Sequence, residues 1–325
     1  MPAANGGGRV LSGFQYAPAG RIPREGSHEG CPYARPCRPL THTIVSLMYQ
    51  SISPYTGALL RSFAPHDAQA VGDILQSLKR HRQQHADFFQ IEHIAQRAEI
   101  LAQIGAILSR ERRTWALLIT QEMGKPIAQA LAEVDKCAQL CQHYAQPAQW
   151  QPLQSQQINS TEPSPLRGII AHQPLGIVLQ IMPWNFPFWQ VLRFAVPAFL
   201  AGNSILLKHA PNTTNCAFAL EQIWAKAANT SDLFCHIRPD YALLAQLFAH
   251  DDIAGIAFTG SNATGSHVAA TAGKYTKKSI LELGGSDAFL VFDDEDIAAV
   301  AEQAAWAQLQ NNGQTCIAAK RFIIQ

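Results

Sequence analysis

Four short aliphatic runs, Gly176–Ile181, Ser204–Leu207, Ile253–Phe258 and Ser279–Leu283, are interleaved with helical stretches at Phe188–Leu200, Cys216–Ala227, Tyr241–Ala249 and Ala263–Ala272. A strand that is apolar throughout, with no polar residue every second position, has to bury both of its faces. Strand and helix alternating at this spacing build βαβ units. The expected fold class is therefore α/β, a parallel sheet covered by helices on both faces.

Upstream, from Asp67 to Tyr144, the period is helical. Val71, Ile74, Leu75 and Leu78 recur at three and four, as do Ile100, Leu101, Ile104, Ile107 and Leu108. Gly124-Lys125-Pro126 breaks that pattern between two helices. A Gln- and Pro-rich stretch, 146–164, reads as a loop or hairpin region. Residues 1–47 show no period, carry Gly6-Gly7-Gly8 and several prolines, and are expected to be disordered. Arg21, Arg24, Arg35 and Arg38 would suit a transit peptide, but Glu25, Glu29 and the prolines do not. A start codon set too early, before Met48, is the plainest account of this leader.

At 325 residues the chain is long enough for two domains. A net charge of +1 gives no basic excess for nucleic acid or an anionic membrane surface, so neither is expected as a partner. The longest apolar run, around Phe194–Leu200, is broken by Pro197 and is too short to span a bilayer. Seven cysteines, an odd count without a CxxC pair, argue against a disulfide framework and a zinc site, and no metal is expected. Cys137 and Cys141 would share a helix face as core thiols. A reducing compartment, the cytoplasm, fits this cysteine usage.

Ligands of parallel α/β sheets bind at the carboxyl ends of the strands. Those ends carry Pro183-Trp184-Asn185-Phe186-Pro187, Lys208, Thr259-Gly260-Ser261 with Gly265 opening a helix, and Glu282-Leu283-Gly284-Gly285. Gly313-Gln314-Thr315-Cys316 follows near the end of the chain. Each feature alone has an ordinary reading. A Gly-Ser turn caps a helix, a lone cysteine packs in a core, a strand-end lysine is solvated, and Trp184 and Trp189 pack.

In this order, however, PWNFP, LK, FTGS, ELGG and GQTC, with Glu122-Met123-Gly124-Lys125-Pro126 upstream, resemble the aldehyde dehydrogenase superfamily. The similarity covers roughly 48–325. LKHAPN, LELGGSDAF and AAKRFII look most like its bacterial NAD(P)-dependent succinate-semialdehyde dehydrogenase branch. The resemblance implies a Rossmann-type sheet over 48–281, with a hairpin or oligomerisation segment at about 151–172. It also implies the start of a second α/β catalytic domain over 282–325. It makes Cys316 the nucleophile toward a small-molecule aldehyde, since a thiolate can form the adduct that expels hydride. Asn185 and the Cys316 N–H become the oxyanion donors, and Glu282 the base for thioester hydrolysis. For NAD or NADP it implies Lys208 on the adenosine ribose and Gly260 and Ser261 on the pyrophosphate. Trp184, Gly265 and Leu283 complete that cofactor set.

Many members carry a glutamate three residues after the lysine, where its charge opposes a 2′-phosphate. Pro211 stands there, so NADP is compatible. Arg193 matches an arginine that binds the substrate carboxylate in related enzymes; an interdomain ion pair is its alternative. A second arginine of those relatives is Gln310 here. Full-length members continue well past the cysteine and oligomerise through a C-terminal strand. The resemblance thus implies a C-terminally truncated chain, with an inactive nucleotide-binding fragment as the alternative function.

Overall fold

The structure, a computed structural model, describes residues 49–158, 168–293 and 296–325. The leader and the middle of the hairpin region lie outside them, and so does the expectation of disorder for 1–47. All described residues fall in the unit 46–325.

The strands β1 (Tyr49–Ile52) and β2 (Leu59–Phe63) form an antiparallel pair. A helical run follows: α1 (Ala68–Gln84), α2 (Ala86–Phe89), α3 (Ile94–Arg110), α4 (Arg112–Met123), α5 (Ile127–Ala145) and α6 (Pro147–Trp150). Asp67 starts α1 by accepting the Ala70 N–H at 2.8 Å. Gly124 ends α4 at φ +74°, a left-handed turn that Gly adopts without a Cβ penalty. Next, β3 (Gln156–Ile158) and β4 (Gly168–Ile170) pair antiparallel where the sequence suggests a loop or hairpin.

The alternating region then gives β5 (Ile177–Met182), α7 (Trp189–Leu200), β6 (Ser204–His209), α8 (Thr214–Ala228) and β7 (Phe234–Ile237). It continues with α9 (Tyr241–Leu247), β8 (Ile253–Thr259), α10 (Asn262–Lys274) and β9 (Lys278–Glu282). These strands form one parallel sheet in the order β7-β6-β5-β8-β9. The alternation expected from sequence is therefore present, with β7 as an unpredicted member. Successive residues of each strand face opposite layers. Ile177, Leu179 and Ile181 pack on one side with Val71, Leu75 and Leu78 of α1 and Val268 of α10. Ile205 and Leu207 pack on the other with α7, α8 and, beyond them, α3 and α5.

Pro197 does not end its apolar run, because α7 continues through it to Leu200. An interior proline costs about 3 kcal/mol. Val191, Leu192, Ala195, Val196 and Phe199, all fully buried, offset that cost. No helix among the described residues is long and apolar enough to cross a membrane.

Beyond the sheet, β10 (Asp287–Val291), α11 (Ile297–Leu309) and β11 (Ala319–Ile324) make a separate parallel βαβ unit. It leaves Leu290, Ile297, Trp306, Leu309, Ile323 and Ile324 exposed, an extensive apolar surface.

Candidate active site

The chain runs outward along β5, β6 and β7, then returns to the other side of β5 at β8. That reversal opens a crevice beyond the carboxyl ends of β5 and β8. Register fixes what reaches it: Ile181 lies beside Lys208 and Phe258, and Thr259 beside Glu282. The Gly260 N–H donates to Glu282 O at 3.0 Å and ties the turn after β8 to the end of β9.

A cavity of about 370 Å³ collects most of the sequence-derived candidates. Trp184, Asn185, Gly260, Glu282, Leu283 and Cys316 all line it, the last from a loop beyond α11. The Asn185 side-chain amide donates to Gln314 O at 2.9 Å, 129 residues away in sequence. An amide nitrogen carries two N–H bonds, so one remains for a ligand. Cys316 is half-buried, unlike the other described cysteines. Burial pushes the thiols of Cys137, Cys216 and Cys235 up, and that of Cys141 up to about 12. Thiols held neutral in this way are inert, and Cys316 is the one described thiol not sealed in the core.

A second cavity, of about 540 Å³, lies along the β6 and β8 ends. Lys208, Trp184, Gly260 and Ser261 line it together with Pro211, Tyr241 and His267. Burial lowers the Lys208 pKa, and no described carboxylate pairs with it. Ser261 caps α10, its Oγ accepting the Thr264 N–H at 3.3 Å. Gly265 sits one turn in, where a Cβ would stand 2.3 Å from Leu283 Cδ2. Glycine there lets the ELGG turn close onto the helix.

Arg193 does not line the sulfur's cavity. It lines a third cavity, about 250 Å³, which shares Glu282 with the first. Its guanidinium meets the Glu282 carboxylate at 2.7 Å. The sequence reading offered a substrate carboxylate or an ion pair, and the geometry supplies the ion pair, with Glu282 as its partner.

Sequence reasoning missed Gln190, which is buried on α7 and lines the Cys316 cavity, its Oε1 without a partner among the described residues. A glutamine on an otherwise apolar helix face was the available signal.

The doubly wound sheet, the glycine turn before α10 and a half-buried thiol at the crevice define an α/β protein with a ligand crevice at its switch point. The chain belongs to the aldehyde dehydrogenase family, whose profile matches residues 45–325. It is 42% identical over 277 residues to the probable succinate-semialdehyde dehydrogenase (NADP+) of Synechocystis sp., covering 85% of this chain and 59% of that one. It is 40% identical over 296 residues to succinate semialdehyde dehydrogenase (NAD(P)+) of Escherichia coli, covering 88% and 59%. The solved structure of succinic semialdehyde dehydrogenase from Streptococcus pyogenes with NADP+ matches at a TM-score of 0.77 and 33% identity. That match covers 85% of this chain and 59% of the other. The chain thus spans about three-fifths of the length of these relatives.

Proposed function

We propose that this chain supplies the dinucleotide-binding part and the nucleophile of an enzyme that oxidises succinate semialdehyde to succinate with NAD or NADP. The observation that carries the reading is one cavity lined by Cys316, Asn185 and Glu282 at the crevice of a doubly wound sheet.

In this reading Cys316 Sγ adds to the aldehyde carbon, and the second N–H of Asn185 and the Cys316 backbone N–H hold the resulting oxyanion. When bound, a nicotinamide cofactor would supply the hydride acceptor, and Cys316 Sγ would then carry the acyl group as a thioester. Glu282 then takes a proton from water as it attacks that thioester, and Cys316 leaves as thiolate. Glu282 is exposed and, among the described residues, its carboxylate is held by Arg193 alone, so it is free to swing toward water. Arg193 is the cation available to a substrate carboxylate, which would take the place Glu282 now occupies.

The second cavity fits a dinucleotide. Its buried ammonium has no carboxylate partner among the described residues, and the N–H groups at the start of α10 favour an anion. Lys208 would hold the adenosine ribose, and Gly260 and Ser261 the pyrophosphate. Trp184, Gly265 and Leu283 would shape the path to the reacting centre. Pro211 puts no charge against a 2′-phosphate, in keeping with the NADP+ in the names of these relatives. The dinucleotide-binding domain would end near 281, with 282–325 opening a catalytic domain. The uncovered faces of β10, β11 and α11 suit further packing within that domain and a homo-oligomer. Free thiols suit a cytoplasmic setting.

The test is Cys316→Ala, assayed in this chain and in a fusion extended to the relatives' length. Reduced-cofactor formation should vanish while cofactor affinity measured by calorimetry stays near wild type. Substantial aldehyde oxidation in the variant would sink the nucleophile assignment.

A further inference from the structure

The Gly124-Lys125-Pro126 turn and the first turns of α5 touch both halves of the reacting centre, and no role above accounts for them. On one side, buried Lys125 pairs with buried Glu133 and lies 3.6 Å over the Phe186 ring. The other Glu133 oxygen accepts the Phe188 and Trp189 N–H groups, each at 3.0 Å, at the start of α7. These contacts hold the loop that carries Asn185. On the other side, Gln129 Oε1 accepts the Asn311 N–H at 2.6 Å, and Gly124 O accepts the Asn312 amide at 3.0 Å. These hold the loop that leads to Cys316.

Asn311 joins the two loops directly. It is buried and left-handed at φ 53°, and its amide donates to Asn185 O at 2.6 Å and to Gln314 O at 3.2 Å. The five-stranded sheet cannot set the distance between Asn185 and Cys316, because the cysteine loop lies outside it. We propose that residues 124–133 with Asn311 form a bracket that sets the separation of the oxyanion donor and the sulfur, with Gln129 and Asn311 as positioning residues. The inference rests on the functional reading above, which makes Asn185 an oxyanion donor.

Two reactions of Cys316 that need no cofactor separate positioning from stability. Iodoacetamide alkylates the sulfur by displacing iodide at a saturated carbon, and no oxyanion forms. With p-nitrophenyl acetate, sulfur attacks the ester carbonyl, a tetrahedral oxyanion forms, and p-nitrophenolate departs with the C–O electron pair, leaving an acetyl thioester. Both products are read at the Cys316 peptide by mass spectrometry in the full chain. The variants are Gln129→Ala, at an exposed position the fold tolerates, and Asn311→Ala.

Acylation should fall by about tenfold or more in both, within the roughly hundred-fold that a 1 Å misplacement costs. Alkylation should stay close to wild type. Gln129→Glu, which keeps an acceptor for the Asn311 N–H, should restore acylation. Equal losses in both reactions, or no loss of acylation, would overturn the bracket. A wild-type chain that alkylates readily yet does not acylate would refute the oxyanion role of Asn185, and the bracket with it.

Discussion

His209 should make the stability of this protein fall steeply in mild acid. The imidazole is fully buried at the end of β6, with Nε2 donating to Pro187 O at 2.9 Å. Its Nδ1 accepts the Ala210 N–H at 2.8 Å and faces Thr213 Oγ1 at 2.8 Å. This arrangement requires the neutral ring, since a proton on Nδ1 would oppose the Ala210 N–H. Burial accordingly pulls its pKa down from 6.5 to about 4. Between those values the unfolded chain binds a proton that the folded chain refuses. The folded state is therefore unpenalised above about pH 6.5 and loses stability as pH falls toward 4. At about 1.4 kcal/mol per pKa unit the loss reaches the order of 3 kcal/mol by pH 4. Burial also lowers His66 to about 4 and His236 well below its ordinary value, and both add in the same direction. Urea unfolding across this range isolates the His209 share when wild type is compared with His209→Gln, which does not titrate. The stability difference between the two should narrow in acid by roughly 2–3 kcal/mol. Curves that stay parallel would refute the argument.

Two predictions concern turnover, measured in a fusion extended to the length of the relatives. Glu282→Gln should slow thioester hydrolysis more than hydride transfer, giving a burst of reduced cofactor followed by a slow steady state; equal loss of both phases would point to a structural role. Arg193→Leu should raise KM for succinate semialdehyde about ten- to hundred-fold over that for a neutral aliphatic aldehyde, the cost of one bidentate contact. If both substrates suffer alike, Arg193 serves only to hold Glu282.

The aliphatic runs and helical periods were legible because each is a local pattern: β5, β6 and β8, buried on both faces, cannot hide their composition, whereas β9 is an edge strand and stays mostly exposed, against the expectation for Ser279–Leu283. The glycine turns, the Lys208 position and the cysteine near the chain end were legible through motif order. The strand β7 was not, because Phe234-Cys235-His236-Ile237 places a polar imidazole in a short run that pairing with β6 alone reveals as a buried strand. Glu133 could have been flagged, since it falls on the same face of α5 as Ala130, Val134 and Cys137. Its partners, however, lie in a turn eight residues upstream and at the start of α7.

Sequence by itself therefore determined the layers, the parallel sheet and the family. Tertiary structure decided that Arg193 meets Glu282 and lines a different cavity from the sulfur, and that Asn185 and Cys316 share one cavity. It also decided that the α5 turn grips both loops. Periodicity records which face of an element is buried, a property each segment carries alone. Pairings between side chains far apart in sequence arise only when packing brings them within a few ångströms and removes the water between them.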